Sequence, residues 1–225
     1  FWIGPLMQAT PYDPIRDFAG VTTVSVSPNI LVVNQAVPVK SVAELIALAK
    51  AKPGDLNYAS SGTGATSHLA GEMLKSMAGI NIVRISYKGA GQAMNDLLAG
   101  QVQVAFPTAG AAAAHMRAGR VRALAVTSLE PSPLAPGLPT VASVVPGYET
   151  TAIYGLFVPA RTPATLINRL HREAVQVVKS AEVKDKLQSA AVETVGDTPD
   201  QLIARVKGDM ARMKKVIDAA GISAK

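Results

Sequence analysis

Leu56-Asn57-Tyr58-Ala59-Ser60-Ser61-Gly62-Thr63-Gly64-Ala65-Thr66-Ser67-His68-Leu69-Ala70-Gly71-Glu72 is the stretch from which the rest of the chain can be read. Leu56 to Ala59 is a short apolar run that predicts a strand. Leu69, Met73, Leu74 and Met77 recur on one face of a 3.6-residue period and predict a helix. Between them lies a loop of small residues, Ser60 to Thr66. Gly62 and Gly64 permit backbone angles closed to other residues, and the hydroxyls of Ser60, Ser61, Thr63, Thr66 and Ser67 can donate hydrogen bonds. The first N–H groups of the helix, around Ala65 to His68, have no partner within it and point the same way. Such a loop is a socket for an anion.

Gly62-Thr63-Gly64 shares the opening of a dinucleotide fingerprint, but the third glycine of that pattern falls at Ser67. The next strand, Ile82 to Ser86, ends in Tyr87-Lys88 where a ribose-binding acid would be expected. A P-loop lysine and a nucleophile elbow are also missing from the pattern. Three readings of the loop stay open at this point: a nucleotide site, a site for a carboxylate or similar small anion, and a tight turn with no ligand.

Outward from this stretch the chain alternates. Upstream, Val21 to Val26 and Ile30 to Val33 read as strands, and Ser41-Val42-Ala43-Glu44 is a capping box opening a helix that Pro53-Gly54 stops. Downstream, the strand at 82–86 leads through Tyr87-Lys88-Gly89 to a helix carrying Met94, Leu97 and Leu98. Val102, Val104 and Phe106 then alternate as a strand, Ala109 to Ala118 reads as a helix, and Val121 to Val126 as a further strand. Strands separated by helices of about ten residues predict right-handed βαβ units on a mostly parallel sheet. Ligands of such sheets sit beyond the carboxyl ends of the strands, which gathers the 60–67 loop, Tyr87-Lys88-Gly89 and Pro107-Thr108 along one rim. Residues 129–149 are proline-rich and read as a surface connection. From 150 onward Ala152 to Val158 is a strand, Thr162-Pro163 and Ala181 open helices, and Thr198-Pro199-Asp200-Gln201 opens a last amphipathic helix. Few strands are present in this tail to cover the helices at 163–180 and 199–219.

Composition narrows the function. At 225 residues, 48% hydrophobic and 17% charged, the chain can bury an ordinary core, and no apolar run approaches the length of a membrane span. Zero cysteines exclude disulfides and thiol chemistry. The net charge of +6 is dispersed, and only 4% of residues are aromatic, so nucleic acid is not expected as a partner. His68, His115 and His171 stand apart from acids at metal-binding spacing, so no metal and no cofactor is expected. An enzyme would need an activated nucleophile or a paired acid and base on the rim. The rim offers hydroxyls and backbone N–H groups, no acid, and no base other than His68, so no catalytic residue is assigned. The alternatives are a nucleotide- or anion-dependent α/β enzyme using the 60–67 loop, or a purely structural role. Phe1-Trp2-Ile3 opens without a methionine or an export signal and reads as the interior of a longer protein.

Several stretches together resemble the Bug (TctC-like) family, the periplasmic substrate-binding proteins of tripartite tricarboxylate transporters. They are Tyr12-Asp13-Pro14-Ile15-Arg16-Asp17-Phe18, the 56–72 stretch, Tyr87-Lys88-Gly89, Asp96-Leu97-Leu98-Ala99-Gly100-Gln101-Val102, Arg122-Ala123-Leu124-Ala125-Val126-Thr127-Ser128, Leu138-Pro139-Thr140-Val141 and Pro146-Gly147-Tyr148. The resemblance implies an α/β Venus-flytrap protein of two domains. It would close on a small mono- or dicarboxylate in the interdomain cleft and deliver it to the membrane components of the transporter, without itself spanning the membrane. Residues 29–128 would be the second domain, and 1–28 with 150–225 part of a first domain. That first domain would be incomplete, lacking the family's glycine-rich loop and its opening βα unit. The implied binding residues are Ser60 to His68, Tyr87 to Gly89, Pro107, Thr108 and Tyr154. Many family members carry Asp after the position of Phe106, where this chain has Pro107-Thr108; the missing acid favours a simple carboxylate over an amino acid.

Overall fold

The opening of the chain forms a single turn of helix, α1 (Gly4–Met7), with Pro5 in its first turn, where a missing N–H costs nothing, and Pro11 and Pro14 beyond it, each removing a backbone donor. The first long element is β1 (Phe18–Pro28), which extends beyond the expected Val21–Val26 at both ends. The computed structural model describes residues 1–223. They divide into two compact units, one built from Phe1–Ser27 with the chain from Ile153 onward, the other from Pro28–Ala152.

The second unit begins with β2 (Ile30–Asn34), buried on both faces. In α2 (Val42–Ala51) Ser41 Oγ accepts the Glu44 N–H at 3.2 Å, while the Glu44 carboxylate reaches past the cap residue to the Lys40 N–H at 2.7 Å. There follow β3 (Asn57–Ser60), α3 (Thr66–Ala78), β4 (Val83–Ser86), α4 (Ala90–Leu98), β5 (Val104–Ala105), α5 (Ala109–Arg117) and β6 (Val121–Val126). The strand expected from Val102 to Phe106 is shortened to two residues. The reason lies in α4: the N–H groups of Gly100, Gln101 and Val102 turn back onto the carbonyls of Leu97 and Asp96, and so are spent before they reach the sheet.

The strand order is β4-β3-β5-β2-β6. β3 is parallel to both β4 and β5, with Tyr58 opposite Arg84 and Ala59 opposite Ile85 and Ala105. β2 is antiparallel to both β5 and β6. The sheet is therefore mixed, where a mostly parallel one was expected. A crossover helix enforces parallel pairing only between neighbouring strands, and β5 separates β2 from β3, leaving β2 free to reverse. Because β3, β4 and β5 run the same way, the loops at 60–66, 87–89 and 107–108 leave from one edge of the sheet.

Residues 129–149, expected as a surface connection, pack onto this same unit. Val141 and Tyr148 are fully buried, and the Tyr148 hydroxyl donates to the Ala70 carbonyl at 2.8 Å. The prolines leave that stretch only a short 3₁₀ turn at Val141–Ser143 without stopping apolar burial.

In the first unit β7 (Thr151–Pro159) precedes α6 (Ala164–Val178), α7 (Ala181–Ser189), β8 (Glu193–Thr194) and α8 (Pro199–Ala220). The sheet order is β7-β1-β8, with β8 antiparallel to β1. Thr198 and Gln201 close both bonds of a capping box at the start of α8. α8, expected to lack a cover, has one: Leu202 and Val206 are fully buried, and Gly20 of β1 lets the backbone approach Leu202 closely. α6 is different. It has a strongly one-sided apolar face, yet Val178 is its only buried residue, and Leu166 and Val177 are 45% and 58% exposed. Among the described residues no helix is long and apolar enough to cross a membrane, and no group of three His, Cys, Asp or Glu could hold a metal ion.

Candidate ligand-binding site

Along β3 successive side chains alternate between the two faces of the sheet. Ala59 and Ser61 face a cavity of about 70 Å³; Tyr58 and Ser60 face the other way, toward α3. The cavity is also lined by Thr66 and Ser67 of α3, Ala90, Ala93 and Met94 of α4, and Asn29, Ala105, Phe106, Pro107 and Thr108. No charged residue lines it. Its walls are small and apolar, and its polar rim is made of hydroxyls and helix beginnings.

Those beginnings set its electrostatics. Ser41, Ser180 and Thr198 cap α2, α7 and α8 with side-chain hydrogen bonds. α3, α4 and α5 start at Ala65, Gly89 and Thr108 without a side-chain cap, and first-turn residues of α3 and α4 together with the cap residue of α5 border the cavity. Each helix start carries about half an elementary charge of positive potential and free N–H donors. Three of them converging on a cavity without a counter-charge make a place for an anionic group.

The structure sorts the sequence-derived residues. Ser61, Thr66, Ser67, Pro107 and Thr108 line the cavity. The Ser61 N–H donates to Ser67 Oγ at 3.0 Å, and the two hydroxyls lie 3.0 Å apart. Gly62 and Gly64 hold φ values of 138° and 75°, which a side chain would strain. Not all loop donors are free, however. The Gly64 N–H is taken by His68 Nδ1 at 3.1 Å, and the Ala65 N–H by the Gly62 carbonyl. Ser60 is fully buried and turned from the cavity, and Thr63 lies at the loop's outer side; both accept hydrogen bonds from Arg84, at 2.8 and 3.2 Å. His68 is itself buried, and burial, helped by the Arg84 charge, pushes its imidazole down to about 4, so it is neutral. The Tyr87 hydroxyl donates to Asp96 at 2.8 Å, and burial with that bond raises it to about 12. Lys88 is exposed beside it, and Gly89 is the cap residue of α4. Tyr154 lies on β7 in the other unit and is 52% exposed.

Sequence reading missed Arg84, Asn29 and the α4 wall. Arg84 was legible as a lone cation inside the apolar run Ile82-Val83-Arg84-Ile85. Ala90, Ala93 and Met94 could have been found by carrying the rim into the first turns of the helix after Gly89, since their spacing puts them on one face. Asn29 has no sequence signal: only its bridge to Thr108 in the folded sheet brings it there.

Comparison with known proteins places this geometry. Residues 2–222 match the model of the tripartite tricarboxylate transporter family receptor, TctC. The chain belongs to this family. Among curated TctC relatives, a UPF0065 protein from the tcbD-tcbE intergenic region of Pseudomonas sp. strain P51 is 32% identical over 92% of this chain, and BugT of Bordetella pertussis is 31% identical over 98%. The chain spans 62% and 68% of their respective lengths. Among solved structures, R. palustris Rpa4515 with adipate is 34% identical with a TM-score of 0.84, covering 96% of this chain and 73% of its own. The periplasmic binding protein BugD is 28% identical, also with a TM-score of 0.84, covering 100% of this chain and 76% of its own. With TM-scores of 0.84, this chain shares the α/β fold of both structures.

Proposed function

We infer that this chain is the ligand-capturing body of a periplasmic solute-binding protein that takes up a small aliphatic mono- or dicarboxylate and hands it to the membrane components of a tripartite tricarboxylate transporter. The observation that carries the reading is the cavity at the starts of α3, α4 and α5. Helix N–H groups and the hydroxyls of Ser61, Thr66, Ser67 and Thr108 suit a carboxylate, and the Ala59, Ala93, Met94 and Phe106 walls suit an alkyl chain. Adipate on a relative 34% identical supports the class. An anion-dependent enzyme is disfavoured, because no acid or base lines the cavity and His68, the one candidate base, is spent on Gly64.

A thermal-shift screen tests it. Adipate and its shorter dicarboxylate homologues are expected to raise the melting temperature in a concentration-dependent way, with nucleotides and buffer without effect. A shift with ATP or NAD and none with any carboxylate would overturn the reading.

A further inference from the structure

The groups beneath the 60–66 loop, on the face of β3 away from the cavity, have no part in the site as described, yet they hold most of the loop's side-chain bonds. Arg84 stands opposite Tyr58 in the parallel register, and so on the α3 side of the sheet. From there its Nε donates to Ser60 Oγ at 2.8 Å, and its Nη2 to Thr63 Oγ1 and Ser86 Oγ, each at 3.2 Å. Among the described residues no carboxylate lies within ion-pair distance of it. In the first turn of α3, His68 accepts the Gly64 N–H. One side chain thus holds the loop's entry and middle, the other its exit.

We propose that His68 and Arg84 are positioning residues, bracing the 60–66 loop from the side of the sheet opposite the cavity so that Ser61, Thr66 and Ser67 are presented to the ligand. The brace rests on the carboxylate reading only for what it serves, not for its own existence. It works through opposite demands. His68 must offer a lone pair, which only the neutral ring has at Nδ1, while Arg84 must offer a fixed fork of donors, which a lysine cannot reproduce. Around His68 the charged and titratable groups are Arg84 on β4, Glu72 and Lys75 on α3, and Tyr58 on β3, whose hydroxyl donates to Glu72 at 2.6 Å. Burial and the two cations keep the ring neutral against the pull of Glu72. The Gly64 N–H is then a structural donor and not a ligand donor.

The test uses the whole 225-residue chain at pH 7.5, with Gly64 amide exchange read by NMR and adipate affinity by calorimetry. His68→Leu removes the acceptor; His68→Asn places an amide oxygen where Nδ1 stood. Leu is expected to speed Gly64 exchange about tenfold or more and to weaken adipate about fivefold or more, the range of one lost hydrogen bond amplified by loop disorder, while Asn stays within about twofold on both readouts. Arg84→Gln, at a half-exposed position, is expected to follow Leu. Unchanged Gly64 exchange in His68→Leu, equal losses in Leu and Asn, or unaltered adipate affinity in both Leu and Arg84→Gln would overturn the proposal. If the unmodified chain takes up neither adipate nor any shorter carboxylate, the carboxylate reading falls, and Gly64 exchange alone decides for or against the brace.

Discussion

His68 carries a pH dependence whose sign follows from its burial. An unfolded imidazole takes up its proton near pH 6.5, the folded one near 4. Above about 6.5 both states are neutral and the contribution to stability is complete. Between about 6.5 and 4 the unfolded chain holds the extra proton, so stability falls as pH falls across that window. Urea unfolding at a series of pH values is expected to show this slope in the natural chain and a shallower one in His68→Asn, which cannot titrate. Equal slopes in the two would mean that folded His68 takes up its proton as readily as the unfolded one. Asp209, whose carboxyl is raised by burial, titrates with the opposite sign but is common to both chains and cancels in the comparison. The residue type at position 68 was legible in the sequence; its neutrality was not, because burial and Arg84 come from other parts of the fold.

At the scale of the element, α3 meets β3 through Gly71. A β-carbon at Gly71 would stand 2.3 Å from the Tyr58 ring, and that ring is fully buried between Gly71 and an edge contact with Phe106. Helix propensity alone makes Gly→Ala favourable by about 1 kcal/mol, so propensity and packing predict opposite signs. Packing prevails, since Tyr58 is also tied by its hydroxyl to Glu72 and cannot swing away. Gly71→Ala is expected to destabilise the chain by about 1–3 kcal/mol in urea unfolding. A gain in stability would show that the ring has room to move. The spacing of Leu69, Met73 and Leu74 disclosed the helix and its inward face; it could not disclose that a glycine within that face is a slot for a tyrosine thirteen residues upstream.

For the whole molecule the uneven cover of the first unit has a consequence. Its three-stranded sheet and α1 bury α8, but α6 keeps Leu166 and Val177 in solvent, and β7, an edge strand, shows Tyr154 and Leu156. Exposed apolar side chains on an edge strand and a half-covered helix favour self-association. Light scattering after size exclusion is expected to give a mass above the 23.3 kDa of one chain, rising with concentration. Leu166→Lys together with Val177→Lys should lower it. A monomer at every concentration would show that these side chains are too scattered to join.

Spacing and residue type alone determined the strand, glycine loop and helix at 56–78, the caps at Ser41 and Thr198, the stop at Pro53-Gly54, and, through motifs quoted over most of the chain, the family. All of these are local: a hydroxyl three residues before an amide, an apolar side chain every three or four positions, a left-handed angle that glycine takes without strain. Tertiary structure alone decided the reversal of β2, the cover of α8 and the fate of the loop's donors. Those depend on what lies across a sheet from what: Gly20 beneath Leu202, β5 between β2 and β3, Arg84 opposite Tyr58. A donor's chemistry is written at its own position, but whether it is free for a ligand depends on neighbours that only folding brings within hydrogen-bond reach.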